Sequence, residues 1–284
     1  MKMALAAVLS LMVAVPIFAQ VAEGDQHWAT RAEGSQNGRA KADAVNAAIA
    51  AYQKAVASDP NNLDAQWKLL RTLRFKGAYV AANNDEKKQV YAQAKKAGEG
   101  ALSAVDKRLA AKGINSVSKA TETQIADVVK TIPGAAEVYL WDAINWGEWA
   151  LAYGKLAAAR EGAADRIKRE ATIANLVDPK LEGGSPSRVL GRLHDQTPRI
   201  PFITGWASSR EAVKFLNESL KADPANKITM VFLAEAMVNN NSDTRPQAVQ
   251  MLKNAIAAPV DQNYLVEQTA ALNDAKNLLR KWGA

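Results

Sequence analysis

The sequence predicts an all-α fold of stacked helix pairs. Three observations predict it. Alanine and other strong helix formers dominate, and β-branched residues other than valine are sparse. Apolar positions recur at the helical period, and no segment alternates convincingly with period two. Helix-like segments are closed by Ala-Pro or Asp-Pro at recurring intervals. With 48% apolar and 23% charged residues, the 284-residue chain has the mix of a globular protein able to bury a core.

The closing dipeptides are Asp59-Pro60, Asp178-Pro179, Asp223-Pro224 and Ala258-Pro259. The last two intervals are 45 and 35 residues, near the 34-residue tetratricopeptide (TPR) period; the first, of 119, must hold further helix pairs. Within a TPR the second helix carries a small residue twelve before the proline, a large apolar one eight before it and a small one five before it. Ala48, Tyr52 and Ala55 fit before Pro60, and Ala212, Leu216 and Ser219 fit before Pro224. Ile167, Ala171 and Ala174 fit partly. Gln247, Met251 and Asn254 fit poorly, with Ala248 one place off. Small residues let paired helices approach, the large one fills the gap, and proline stops the helix. First helices show Trp67, Leu70, Leu73 and Phe75, then Met230, Leu233, Ala234 and Met237; Leu190-Gly191 marks another close crossing.

These patterns place helices near residues 24–37, 40–58, 62–78, 84–112, 119–131, 134–161, 163–177, 185–195, 208–222, 227–239, 244–257 and 262–282. Ser185 and Pro186 are the expected cap and first position of the 185–195 helix. Residues 196–207 (QTPRIPFITGWA) form a loop that is unusually apolar.

Residues 1–19 read as a cleaved export leader: Lys2, an apolar run from Ala4 to Val15, the helix-breaking Pro16, and Ala19 at the cleavage position. The run is too short to span a bilayer comfortably. A periplasmic or secreted protein is expected, with residues 20–284 as one α-solenoid domain and no stable membrane insertion after cleavage.

The net charge is +7, but lysines and arginines are scattered among acids with no basic run of five, so nucleic acid is not an expected partner. The absence of cysteine excludes disulfides, thiolate catalysis, Cys-ligated zinc and a lipid-anchoring N-terminal Cys. His27 and His194 sit in no metal-ligand spacing, and nucleotide-binding and nucleophile-elbow motifs are missing. Neither metal nor cofactor nor enzymatic activity is expected.

The candidate binding residues are aromatic and cationic. In YLWDAINWGEWALAYG, Tyr139, Trp146, Trp149 and Tyr153 share one helix face, which serves either as core or as a ligand surface. Arg188, Arg192 and Arg199 flank the apolar loop and have the chemistry to grip a carboxylate. Phe202 and Trp206 are the loop's large aromatics. The concave face, with the 134–161 helix and this loop, is the expected binding surface. The loop suits self-association into a homo-oligomer as well as ligand contact.

The run from Asp178 to Pro224, with GGSPSRVLGRLHDQTPRIPF and REAVKFLNESLKADP, resembles the T-component proteins associated with TRAP transporters. The tryptophan-rich Tyr139–Tyr153 segment and the early HWATRAEG and AIAAYQKAVASDPNNLDAQWKLLR segments are similar too. The resemblance implies a periplasmic TPR-like solenoid that assists uptake of small ligands, organic acids among them, by pairing with a periplasmic solute-binding protein. The alternative is a TPR scaffold that recruits cell-envelope assembly enzymes.

Overall fold

The structure, a computed structural model, describes residues 17–201 and 203–284. All but the last three residues of the expected leader lie outside the described residues, as does Phe202. Thirteen α-helices fill the described chain: α1 (Ile17–Ala29), α2 (Ala42–Ser58), α3 (Leu63–Tyr79), α4 (Asn84–Ala111), α5 (Glu122–Val129), α6 (Ala135–Tyr153), α7 (Lys155–Arg160), α8 (Ala163–Val177), α9 (Leu181–Gln196), α10 (Ser209–Ala222), α11 (Lys227–Asn240), α12 (Arg245–Ala257) and α13 (Leu265–Trp282). No β-strand occurs among the described residues, only an isolated bridge between Gln36 and Arg39. None of these helices is long and apolar enough to cross a membrane.

Two expected boundaries move near glycines, and a third holds. The first helix ends at Ala29 rather than 37, because the chain turns through Gly34 and Gly38, both at positive φ. The expected 134–161 helix breaks at Gly154 (φ 92°) into α6 and α7. In α9, Glu182, Gly183 and Gly184 carry left-handed backbone, so regular helix begins at Ser185, as expected. There Ser185 Oγ accepts from Arg188 Nη2 (2.8 Å) and caps no backbone N–H.

The Asp-Pro junctions share one mechanism. Asp59, Asp178 and Asp223 terminate α2, α8 and α10 in extended or near-extended backbone. Each carboxylate then accepts the backbone N–H two residues on, from Asn61 (2.9 Å), Lys180 (2.8 Å) and Ala225 (3.2 Å). Aspartate folds the turn while proline denies the helix its next N–H. The following helix is then capped: Asn62 accepts from Ala65 N–H for α3, and Asn226 from Thr229 N–H for α11.

The small–large–small triplets Ala48, Tyr52 and Ala55, and Ala212, Leu216 and Ser219, are buried where expected, as are the partly fitting Ile167, Ala171 and Ala174. In α12 the buried triplet is Ala248, Leu252 and Ala255, one residue later than the proline spacing gives, and Gln247, Met251 and Asn254 border a surface depression instead. A Cβ on Gly191 would stand 2.6 Å from Leu216 Cγ, so glycine is what lets α9 and α10 cross so closely.

Packing sorts the helices into two layers. Helices α3, α6, α9, α11 and α13 touch one another in succession, and α1 joins α3. Helices α2, α4, α8, α10 and α12 lie outside, each wedged between consecutive members of the first series. The inner series then closes on itself. Arg31, in the turn after α1, donates to the Asn263 carbonyl and pairs with Glu267 of α13 at 3.3 Å. Asn273 Nδ2 donates to the Asn37 carbonyl at 3.0 Å, and Val266 enters the cluster built from Val21, Val45, Leu69 and Phe75.

Candidate functional site

Closure turns the inner helices' free faces toward a common axis, and charged side chains gather there. Arg74 of α3 donates through Nε and Nη2 to Glu148 of α6 (3.1 and 2.9 Å) and through Nη1 to the Tyr79 hydroxyl (2.8 Å). On α9, Arg192 bridges Asp195 and Glu235 of α11 and lies 4.4 Å from the Phe232 ring centroid. Arg188 donates to the Gly183 carbonyl (3.3 Å), the Ser185 hydroxyl (2.8 Å) and the Thr229 hydroxyl (3.3 Å), with no carboxylate partner.

The charges act across the ring between helices that are not layer neighbours. Burial lowers the Arg188 pKa to about 10, and the cationic Arg74 on α3 pushes the same way. Asp274 on α13 is raised by burial, against the pull of Arg192 on α9. Tyr79 on α3 is raised by burial, and Glu267 on α13 adds to it. Burial pulls the Arg74 pKa down, yet Tyr79 and Glu148 hold it above the ordinary arginine value. Its side chain is still 21% exposed, and those of Glu148, Arg192 and Glu235 are 24%, 28% and 25% exposed. These groups are partly open to water rather than sealed in a packed core.

The aromatic stripe lies elsewhere. Trp146 and Trp149 are buried among Tyr91, Ala163, Ile167 and Leu190, where α6 meets α4, α8 and α9. Their rings meet edge to face at 5.6 Å, and Lys95 stands over both at 4.4 and 4.5 Å. Tyr153 stacks on Trp149 at 4.8 Å and stays 40% exposed beside Leu151 and Leu156 at the Gly154 break. Arg166 links this cluster to a buried acid pair, reaching Asp142 Oδ2 (2.8 Å) and Glu170 Oε1 (2.9 Å).

The 197–207 loop is half docked. Trp206 Nε1 donates to Asp165 Oδ1 (3.0 Å), and its ring meets His194 edge-on at 5.2 Å. Thr204 ties the loop to itself through the Pro198 carbonyl and the Ile200 N–H. Ile200 and Ile203 point outward at 44% and 64% exposure.

The structure thus brings Arg188 and Arg192 together on the axis and leaves Trp146, Trp149, Tyr153 and Trp206 on other faces. Sequence reading passed over Arg71, Arg74 and Glu148. The available signal was the three-residue spacing of Arg71 and Arg74, which puts both on one helix face. No protein-family model matches this sequence, and no curated protein matches it.

Proposed function

We propose that this chain is an exported, TPR-like solenoid closed into a ring, acting as a binding component rather than an enzyme. Its axial face engages a periplasmic solute-binding protein and a small organic ligand, in the manner of TRAP-transporter T components. The carrying observation is the convergence of Arg74, Arg188 and Arg192 on the ring axis, with Arg188 free of any carboxylate partner. The TPR-like reading draws further support from the repeated buried triplets, the Asp-Pro junctions and the two-layer packing. The export reading rests on residues 1–19 of the sequence. Leu151, Leu156, Ile200 and Ile203 offer apolar surface for a protein contact.

The test is native mass spectrometry of the mature protein purified from its own periplasm, before and after mild denaturation. A co-purifying small acid or a stoichiometric protein partner is expected, and Arg188→Gln should weaken its retention. A chain that is bare at every concentration, and captures no solute-binding protein after chemical crosslinking, would sink the reading.

A further inference from the structure

One arginine of the inner layer is held unlike any other. The Arg71 guanidinium on α3 lies 4.2 Å from the Trp28 ring centroid and 4.7 Å from that of Trp67. Trp28 also carries Arg31 at 4.3 Å, and Trp67 carries Lys68 at 5.6 Å, so cations and indoles alternate along the column Arg31, Trp28, Arg71, Trp67, Lys68. The other enclosed arginines have acceptors: Arg31 has Glu267, Arg74 has Glu148, Arg166 has Asp142 and Glu170, and Arg192 has Asp195 and Glu235. Even Arg188 has a carbonyl and two hydroxyls. Arg71 is half-buried and forms no ion pair; the Tyr52 hydroxyl stands beside it, and its Nε is fully buried without a partner.

We propose that Arg71, with the Trp28 and Trp67 rings, is a binding site for a small organic monocarboxylate with a flat apolar body. Indoles packed against a guanidinium satisfy its π surface and leave its in-plane N–H fork to be satisfied. The group that matches a planar fork is a carboxylate, taken bidentately. The indole edges supply apolar walls for the ligand's body. Glu182 and Asp25 lie within electrostatic range of the same guanidinium. Asp25 is already engaged, accepting from the Tyr52 hydroxyl (2.7 Å) and Lys68 Nζ (2.8 Å). Those acids oppose a doubly charged ligand, so the site favours a monoanion over phosphate. Burial lowers the Arg71 pKa, and Glu182, Tyr52 and Asp25 only partly offset it. This site deepens the reading of the inner face as the binding surface, for which it names a ligand class.

The experiment is calorimetric titration of the mature protein with benzoate, with benzamide and inorganic phosphate as neutral and dianionic controls. For so small a ligand, saturable benzoate binding in about the millimolar range is expected, with benzamide and phosphate at least about tenfold weaker. Arg71→Gln should weaken benzoate by about tenfold or more. Arg71→Lys, which keeps the charge but loses the fork, should recover only part of that loss. Trp67→Phe, which keeps an apolar wall, guards against misfolding as the cause and should weaken benzoate by a few-fold. Benzoate binding that is absent in the wild type, or equal in wild type and a folded Arg71→Gln, overturns the site. If native mass spectrometry still recovers a partner in that case, the Arg71 proposal fails while the ring's binding role stands.

Discussion

Arg31 and Glu267 meet at 3.3 Å across 236 residues of sequence, and each side chain is only about one-tenth exposed. The pair joins the turn after α1 to α13, so it holds the ring shut. Removing one partner leaves a buried charge unpaired, which costs about 3 kcal/mol. Glu267→Ala should lower stability by roughly that amount and increase the radius of gyration measured by small-angle X-ray scattering. Replacing both residues with methionine should recover much of the stability. A compact Glu267→Ala ring of unchanged stability would show that the Asn37–Asn273 and Val266 contacts close it alone.

A second prediction concerns Gly98 on α4. A Cβ there would stand 1.7 Å from Asp142 Oδ1. Asp142 cannot retreat, because it is fully buried and its other oxygen is held by Arg166 at 2.8 Å. Gly98→Ala should therefore destabilise by about 3 kcal/mol despite alanine's better helix propensity. Chemical denaturation measures this. Gly100, two residues on with open space around it, is the control: Gly100→Ala should be neutral or slightly stabilising.

The acid pair predicts a pH dependence. Burial and the neighbouring Asp142 carboxylate push Glu170 well above its usual 4.5; burial raises Asp142 too, but Arg166 pulls it back, so Glu170 carries the proton. The sign follows. Above about pH 4.5 the unfolded chain releases this proton and the folded one keeps it, so this contribution to stability is full in acid and declines as pH rises toward the folded value. Glu170→Gln supplies a permanent amide donor to Asp142. It should remove that decline and stabilise the protein at pH 7 by about 1–2 kcal/mol. Thermal melts from pH 4 to 8 report the slope; an unchanged slope would place the proton elsewhere.

His194 runs the opposite way. Its Nδ1 accepts the Ser208 N–H at 3.2 Å, and burial lowers its pKa below 6.5, with Lys168 adding to the effect and Glu211 opposing it. Unfolded histidine takes up a proton near pH 6.5 that the folded form resists, so stability should fall as pH drops through and below that value. The loop from 197 to 207 should loosen with it, because the imidazole packs against Trp206 and Phe215. Histidine NMR titration checks this directly: His194 should titrate below the ordinary histidine value of about 6.5.

Much of the local architecture was legible in the residues. Pro60, Pro179 and Pro224 end helices because proline lacks a donor N–H, and the preceding aspartates fold the turns from two residues away. Ala48–Tyr52–Ala55 and Ala212–Leu216–Ser219 announced their burial by size and spacing alone. The α12 triplet slipped by one, although α12 ends at the same distance from its proline as α2 does. Helical periodicity also showed that Trp146, Trp149 and Tyr153 share a face. It could not show which neighbour covers that face, and Trp146 and Trp149 went to α4 and α8 rather than to the axis. Arg188 and Arg192 were visible as cations one turn apart, but Arg74 and Glu148, 74 residues apart, meet only because α3 packs on α6. Short-range sterics and hydrogen bonds determine where each helix starts, stops and buries. The ring, its axial charges and the Arg71 column arise from the summed crossing angles of successive pairs, a quantity that no local segment carries.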